Sequence, residues 1–139
     1  MKLYDINGRP RSRVVSKYLI DWKKKSKSKL QFSVKEFLEP YWKNHIVYEE
    51  FPVYGTRMKV DFVNATKKIA IEVNGPQHDE FNKFFHGNSR AKYLQSMKRD
   101  VQKANWLEAN GFILMQIYKD DIAKLDPPYI RKTFGVSLV

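Results

Sequence analysis

The 139-residue sequence carries 26 Lys and Arg against 15 Asp and Glu, a formal net charge of +11. It has no cysteine, which excludes disulfides, thiolate zinc sites and cysteine nucleophiles together. No apolar run approaches membrane-span length and the first residues lack a signal-peptide core, so the expectation is an intracellular, cytoplasmic protein with one domain-sized core and a polyanionic partner, nucleic acid ahead of a membrane.

The charge is uneven. Residues 1–33 hold ten of the Lys and Arg residues against only Asp5 and Asp21. Asn7-Gly8-Arg9-Pro10-Arg11-Ser12-Arg13 reads as an extended basic arm and is similar to the Gly-Arg-Pro core of AT-hooks, which lie in the minor groove of A·T-rich DNA. Arg9, Arg11 and Arg13 are therefore candidate nucleic-acid contacts. Val14 to Trp22 predicts a short helix with Val15, Tyr18, Leu19 and Trp22 on one side. Lys23 to Lys29, broken by serines, reads as a mobile basic loop. Residues 1–32 are thus expected to form a DNA-contacting arm ahead of a core at 33–125, with a C-terminal tail at 126–139.

Ser33-Val34-Lys35-Glu36 has the form of a capping box opening a helix to about Asn44. Phe37, Leu38, Tyr41 and Trp42 give it an apolar face, and Pro40 is expected to kink or break it. Ile46 to Val53 reads as a strand and Tyr54 to Arg57 as a turn. Met58 to Val63 and Lys68 to Asn74 read as two strands joined by the polar Asn64 to Lys67. The second alternates cleanly, with Ile69, Ile71 and Val73 on one face and Ala70, Glu72 and Asn74 on the other. Gln77 to Gly87 is a loop bearing Phe81, Phe84 and Phe85. Asn88-Ser89 caps a helix to Asn110, with Leu94, Met97, Val101, Ala104 and Leu107 as its core stripe. Gly111 ends it. Phe112 to Tyr118 reads as a buried parallel strand.

The hairpin carries the chemistry. If its register pairs Asp61 with Ala70 or Glu72, then Asp61 and Glu72 share a face, opposite or diagonal to each other. Two carboxylates that close repel, and need a proton, a basic side chain or a metal ion between them. Both lie in apolar runs, where uncompensated charge is costly. Mg²⁺, with Mn²⁺ as a substitute, prefers oxygen ligands and keeps several waters, so Asp61 and Glu72 suffice as protein anchors. His78 follows the strand, with a pKa suited to proton transfer with water or with a leaving group. Asp100 either orients His78, binds metal, or pairs with Lys103 on its own helix.

The order of a helical Glu, an Asp on one strand, Glu-x-Asn on the next, then His and a helical Asp resembles the PD-(D/E)xK nuclease superfamily. Within it the likeness is to the very-short-patch-repair-like branch, which includes homing endonucleases with a Glu-Asp-x-His-Asp signature. The matching positions are Glu36, Asp61, Glu72, His78 and Asp100, and the likeness runs from Ser33 to Tyr118. It implies a restriction-endonuclease-like α/β fold, a mixed central sheet flanked by helices, and metal-dependent phosphodiester cleavage in double-stranded DNA. The superfamily's usual Lys is Asn74 here, and Lys103 stands where relatives often carry Arg. Asn74 and Lys103 then face the nucleic acid, and with no cysteine no structural zinc is expected.

The resulting expectation is a Mg²⁺-dependent homing or mobile-element endonuclease. A junction resolvase or nicking enzyme on the same scaffold, and a non-catalytic DNA-binding module, are the alternatives. Monomer and homodimer are equally compatible with the sequence.

Overall fold

The computed structural model describes residues 1–75 and 90–139. His78, the Gln77 to Gly87 loop and the Asn88-Ser89 cap lie outside the described residues.

Among the described residues six strands and four α-helices follow in chain order. They are β1 (Lys2–Tyr4), β2 (Pro10–Ser12), α1 (Lys29–Trp42), β3 (Val47–Pro52), β4 (Lys59–Asn64), β5 (Ile69–Asn74), α2 (Arg90–Ala109), β6 (Ile113–Tyr118), α3 (Lys119–Ile122) and α4 (Pro127–Phe134). Strands β3 to β6 form one sheet in that order, antiparallel from β3 to β5 and parallel between β5 and β6. The parallel step needs a crossover, and α2 lies within it. The molecule is therefore a mixed α/β protein with a four-stranded mixed sheet and helices on both faces.

Alternation along β5 sorts the core into two halves. Ile69 and Ile71 join Val34, Leu38 and Trp42 of α1, Met115 and Ile117 of β6, and Ile130, Val136 and Leu138 of the C-terminal segment. Ala70 faces the other half, with Trp106 and Leu107 of α2, Phe51, Tyr54 and the N-terminal residues Leu3 and Val15.

Several sequence expectations change here. The basic arm is a folded hairpin, β1 paired antiparallel with β2. Asp5 organises it, accepting from the backbone N–H of Asn7 and Arg9 and from Arg11 Nε at 2.6 Å. Arg13 lies over the Tyr54 ring. The Trp106 indole N–H donates to the Tyr4 carbonyl at 2.7 Å, which ties the hairpin to α2.

The helix expected over Val14 to Trp22 is only a 3-10 turn, Ser16–Tyr18. Its chain runs on to the edge of β3, where Leu19 bridges Tyr48 and the Ile20 N–H donates to Val47. Backbone donors satisfied at a sheet edge are not available to a helix.

Helix α1 starts one turn earlier than the Ser33 capping box implies. Ser28 is its N-cap and accepts from the Gln31 N–H, while the Ser33 hydroxyl donates back to the Lys29 carbonyl. The helix runs through Pro40.

The expected stripe of α2 is buried only at its end. Leu107 is in the core, but Leu94, Met97 and Val101 are about half exposed. The strand β6 is likewise buried on one face only, with Met115 and Ile117 inside, while Leu114, Gln116 and Tyr118 on the other face are partly or fully exposed, as is Ile113 at the strand start.

Candidate active site

The sheet register aligns acidic residues across three strands. Glu49 pairs with Phe62 and Phe51 with Val60, which sets Glu50 opposite Asp61. Phe62 pairs with Ile71, so one step along Asp61 stands opposite Glu72, the closer of the two registers the sequence left open. Glu72 in turn pairs with Gln116 of β6. The row Glu50, Asp61, Glu72 thus crosses adjacent strands, with a φ of +55° at Glu50.

Each carboxylate has a basic neighbour. Lys27, from the loop before α1, is 3.2 Å from Asp61 Oδ1 and 3.4 Å from Glu50 Oε1. Asp61 Oδ2 accepts the Val73 N–H at 2.8 Å. On the α2 side, Lys103 Nζ is 3.1 Å from Glu72 Oε1. That is ion-pair distance, and among the described residues the buried Glu72 Oε1 has no well-formed hydrogen bond besides this ion pair.

The environment favours protonation. Burial pushes the Asp61 carboxyl up, opposed by the Val73 N–H and by Lys27, and Glu50 adds to the rise. Burial also pushes Glu72 up to about 7, reinforced by Asp61 and opposed by Lys103. Carboxylates displaced in this direction inside a cleft are common at functional sites.

Glu72, Asn74, Asp100, Lys103, Leu114 and Gln116 line one small cavity. Four residues singled out from sequence therefore meet there. Asn74 donates to Gln116 Oε1 at 3.3 Å. Lys103 turns to Glu72 rather than to Asp100, which is exposed. Glu36 is on the exposed side of α1, and it is Gln31 and Lys35 of this helix that reach the acidic strand. His78 lies outside the described residues. Arg9, Arg11 and Arg13 sit in and beside the hairpin, Arg11 already paired with Asp5.

Sequence reasoning passed over a second layer. Lys35, almost fully buried, pairs with Glu49 at 2.8 Å and donates to the Lys24 carbonyl at 2.6 Å. Ser26 and Gln31 also donate to Glu49. The Lys23 to Lys29 loop, expected to be mobile, is pinned by these bonds. One signal for this layer was available, because Glu49 and Glu50 sit inside an apolar strand as Asp61 does.

Among known proteins, the chain is similar to "Uncharacterized protein 033L" of Invertebrate iridescent virus 3, 31% identical over 99 residues, or 68% of this chain. The chain spans about half the length of that relative, 50%. No protein-family model matches the chain and no solved structure matches it. Among the described residues no helix is long and apolar enough to cross a membrane.

Proposed function

We propose that this chain is a metal-dependent DNA endonuclease with a restriction-endonuclease-like core, of the homing or mobile-element type. One observation carries the reading. Asp61 and Glu72 stand opposite each other on neighbouring strands, both largely buried, each beside a lysine.

The residues fit a divalent metal in a limited sense. Among the described residues no group of three His, Asp or Glu is arranged to hold one. Within the row, Asp61 and Glu72 offer two facing carboxylates, and Mg²⁺ commonly takes one or two carboxylates with phosphate and water filling its shell. The chemistry Mg²⁺ supplies in such a site is charge neutralisation at phosphate and activation of water. Asp61 and Glu72 would hold it. Lys103 keeps a positive charge beside Glu72 where Asn74 cannot, and Lys27 neutralises Asp61 in the free protein.

A non-catalytic DNA-binding module is the second reading, favoured by those same ion pairs, which satisfy the acids without metal. Supercoiled plasmid incubated with Mg²⁺ or with EDTA separates the two. Nicked or linear products that need metal and disappear in Asp61→Ala support the nuclease. Intact plasmid under both Mg²⁺ and Mn²⁺, with DNA still bound, leaves the binding module.

A further inference from the structure

A second charged feature lies beside β3. It is a trough of about 630 Å³ whose lining includes Lys17, Lys24, Lys25, Lys27 and Lys59. The acids that share its lining are already engaged. Glu49 is held by Lys35, Ser26 and Gln31, Glu50 by Lys27 and Gln31, and Asp21 takes the Lys23 N–H. Lys17, Lys24, Lys25 and Lys59 are exposed, and among the described residues none has a carboxylate within 4.0 Å.

We propose that this trough is the track along which the DNA backbone reaches the acidic row. The argument has three parts. First, ammoniums outside any ion pair displace the condensed counterions of a polyanion without first breaking a contact to a carboxylate, whereas Arg11 of the hairpin must first leave Asp5. Second, a concave lining with an excess of positive charge focuses potential, and it admits a polymer backbone while keeping a flat bilayer off its floor. Third, the loop is set in advance. Lys35 holds the Lys24 carbonyl and Ser26 holds Glu49, so the ordering of the loop is complete before a ligand arrives. Glu50 belongs to both the trough lining and the row, and Lys27, also in the lining, reaches Glu50 and Asp61, so a strand lying in the trough meets the row. The destination rests on the nuclease reading, while the binding does not.

The test is fluorescence anisotropy of a short labelled duplex in EDTA, across about 50 to 200 mM KCl. The trough variant is K17Q/K24Q/K25Q/K59Q. The control, K43Q/K124Q/R131Q/K132Q, loses equal charge at exposed positions outside the trough. The trough variant should lose up to about 0.9 units of log–log salt slope per lost phosphate contact, up to about 3.6 units for the four, and the control less than about 1. If the four-site variant fails to fold, K24Q/K25Q should show about half that change. Equal losses in trough variant and control overturn the proposal, as does an unchanged slope. So does a wild type that ignores duplex but binds phosphatidylserine vesicles through the same lysines. A trough-dependent slope in a protein that never cuts plasmid keeps the track and removes the nuclease.

Discussion

The Val73 N–H donates to Asp61 Oδ2 at 2.8 Å, so the strand that carries Glu72 also grips the carboxylate opposite it. The two acids are positioned by one backbone bond and one register, not by two flexible side chains. Asp61→Ala and Glu72→Ala should each reduce Mg²⁺-dependent cleavage to background and leave duplex affinity in EDTA near wild type. Plasmid cleavage and anisotropy measured on the same preparations check this. Normal cutting by either variant would move the site elsewhere.

Glu72 gives a pH dependence of stability. Its carboxyl lies at about 7 in the folded protein against an ordinary 4.5. Between those values the native state keeps a proton that the unfolded chain has released. Stability therefore falls as pH rises through this window, by roughly 3 kcal/mol in metal-free buffer. Glu72→Gln should remove that slope, matching wild type at about pH 5 and exceeding it at about pH 8. Urea unfolding in EDTA at both values measures it, and parallel curves for the two proteins would count against the shift.

Lys35 is a structural prediction at the trough. Lys35→Met leaves Glu49 buried without its ammonium, which should cost about 3–5 kcal/mol. Limited trypsin digestion should then cut faster after Lys24 and Lys25, because the Lys24 carbonyl has lost its donor. The double variant K35M/E49L should recover most of the stability, since replacing a whole buried pair is often neutral.

Trp106 joins α2 to the N-terminal hairpin through the Tyr4 carbonyl, and its ring lies 5.9 Å from Tyr54 and 6.5 Å from Phe51. Trp106→Ala should destabilise by about 3–5 kcal/mol. Hydrogen exchange should show the hairpin amides of Leu3 to Ser12 losing protection before those of β4. Uniform loss across the sheet would deny the indole this local role.

For His78 the expectation comes from sequence. As a proton-transfer group it should contribute about 10²–10⁴-fold to cleavage. His78→Ala should be slow yet bind DNA and Mg²⁺ normally, with the imidazole limb gone from its pH–rate profile. Loss of metal binding along with rate would make it a ligand instead.

The central hairpin was legible because alternation along its second strand and a short polar turn fix the faces, which put Asp61 and Glu72 on one side. The choice between Ala70 and Glu72 as the partner of Asp61 came from the sheet register. The parallel β6 was legible from its continuous apolar run. What stayed hidden depends on partners far along the chain. Lys27 and Lys35 are ordinary members of a basic stretch until β3 folds beside them. The helix start was ambiguous in a specific way, since Ser28…Gln31 and Ser33…Glu36 have the same capping spacing. The earlier one holds because Gln31 then reaches Glu49 and Glu50. On α2 the periodicity chose Leu94, Met97 and Val101, but the N-terminal hairpin packs on Trp106 instead. Which stripe is covered depends on where a distant segment docks.

The left-handed backbone at Glu50 constrains what inheritance can do with the position. Glycine, asparagine and aspartate tolerate that geometry, while valine and isoleucine resist it. A saturation library at this codon should therefore sort first by handedness and only then by charge. Soluble yield would favour the turn-forming residues even where cleavage is gone. A β-branched replacement, the usual choice for a strand, would be the least accepted, and the acidic row would bend with it.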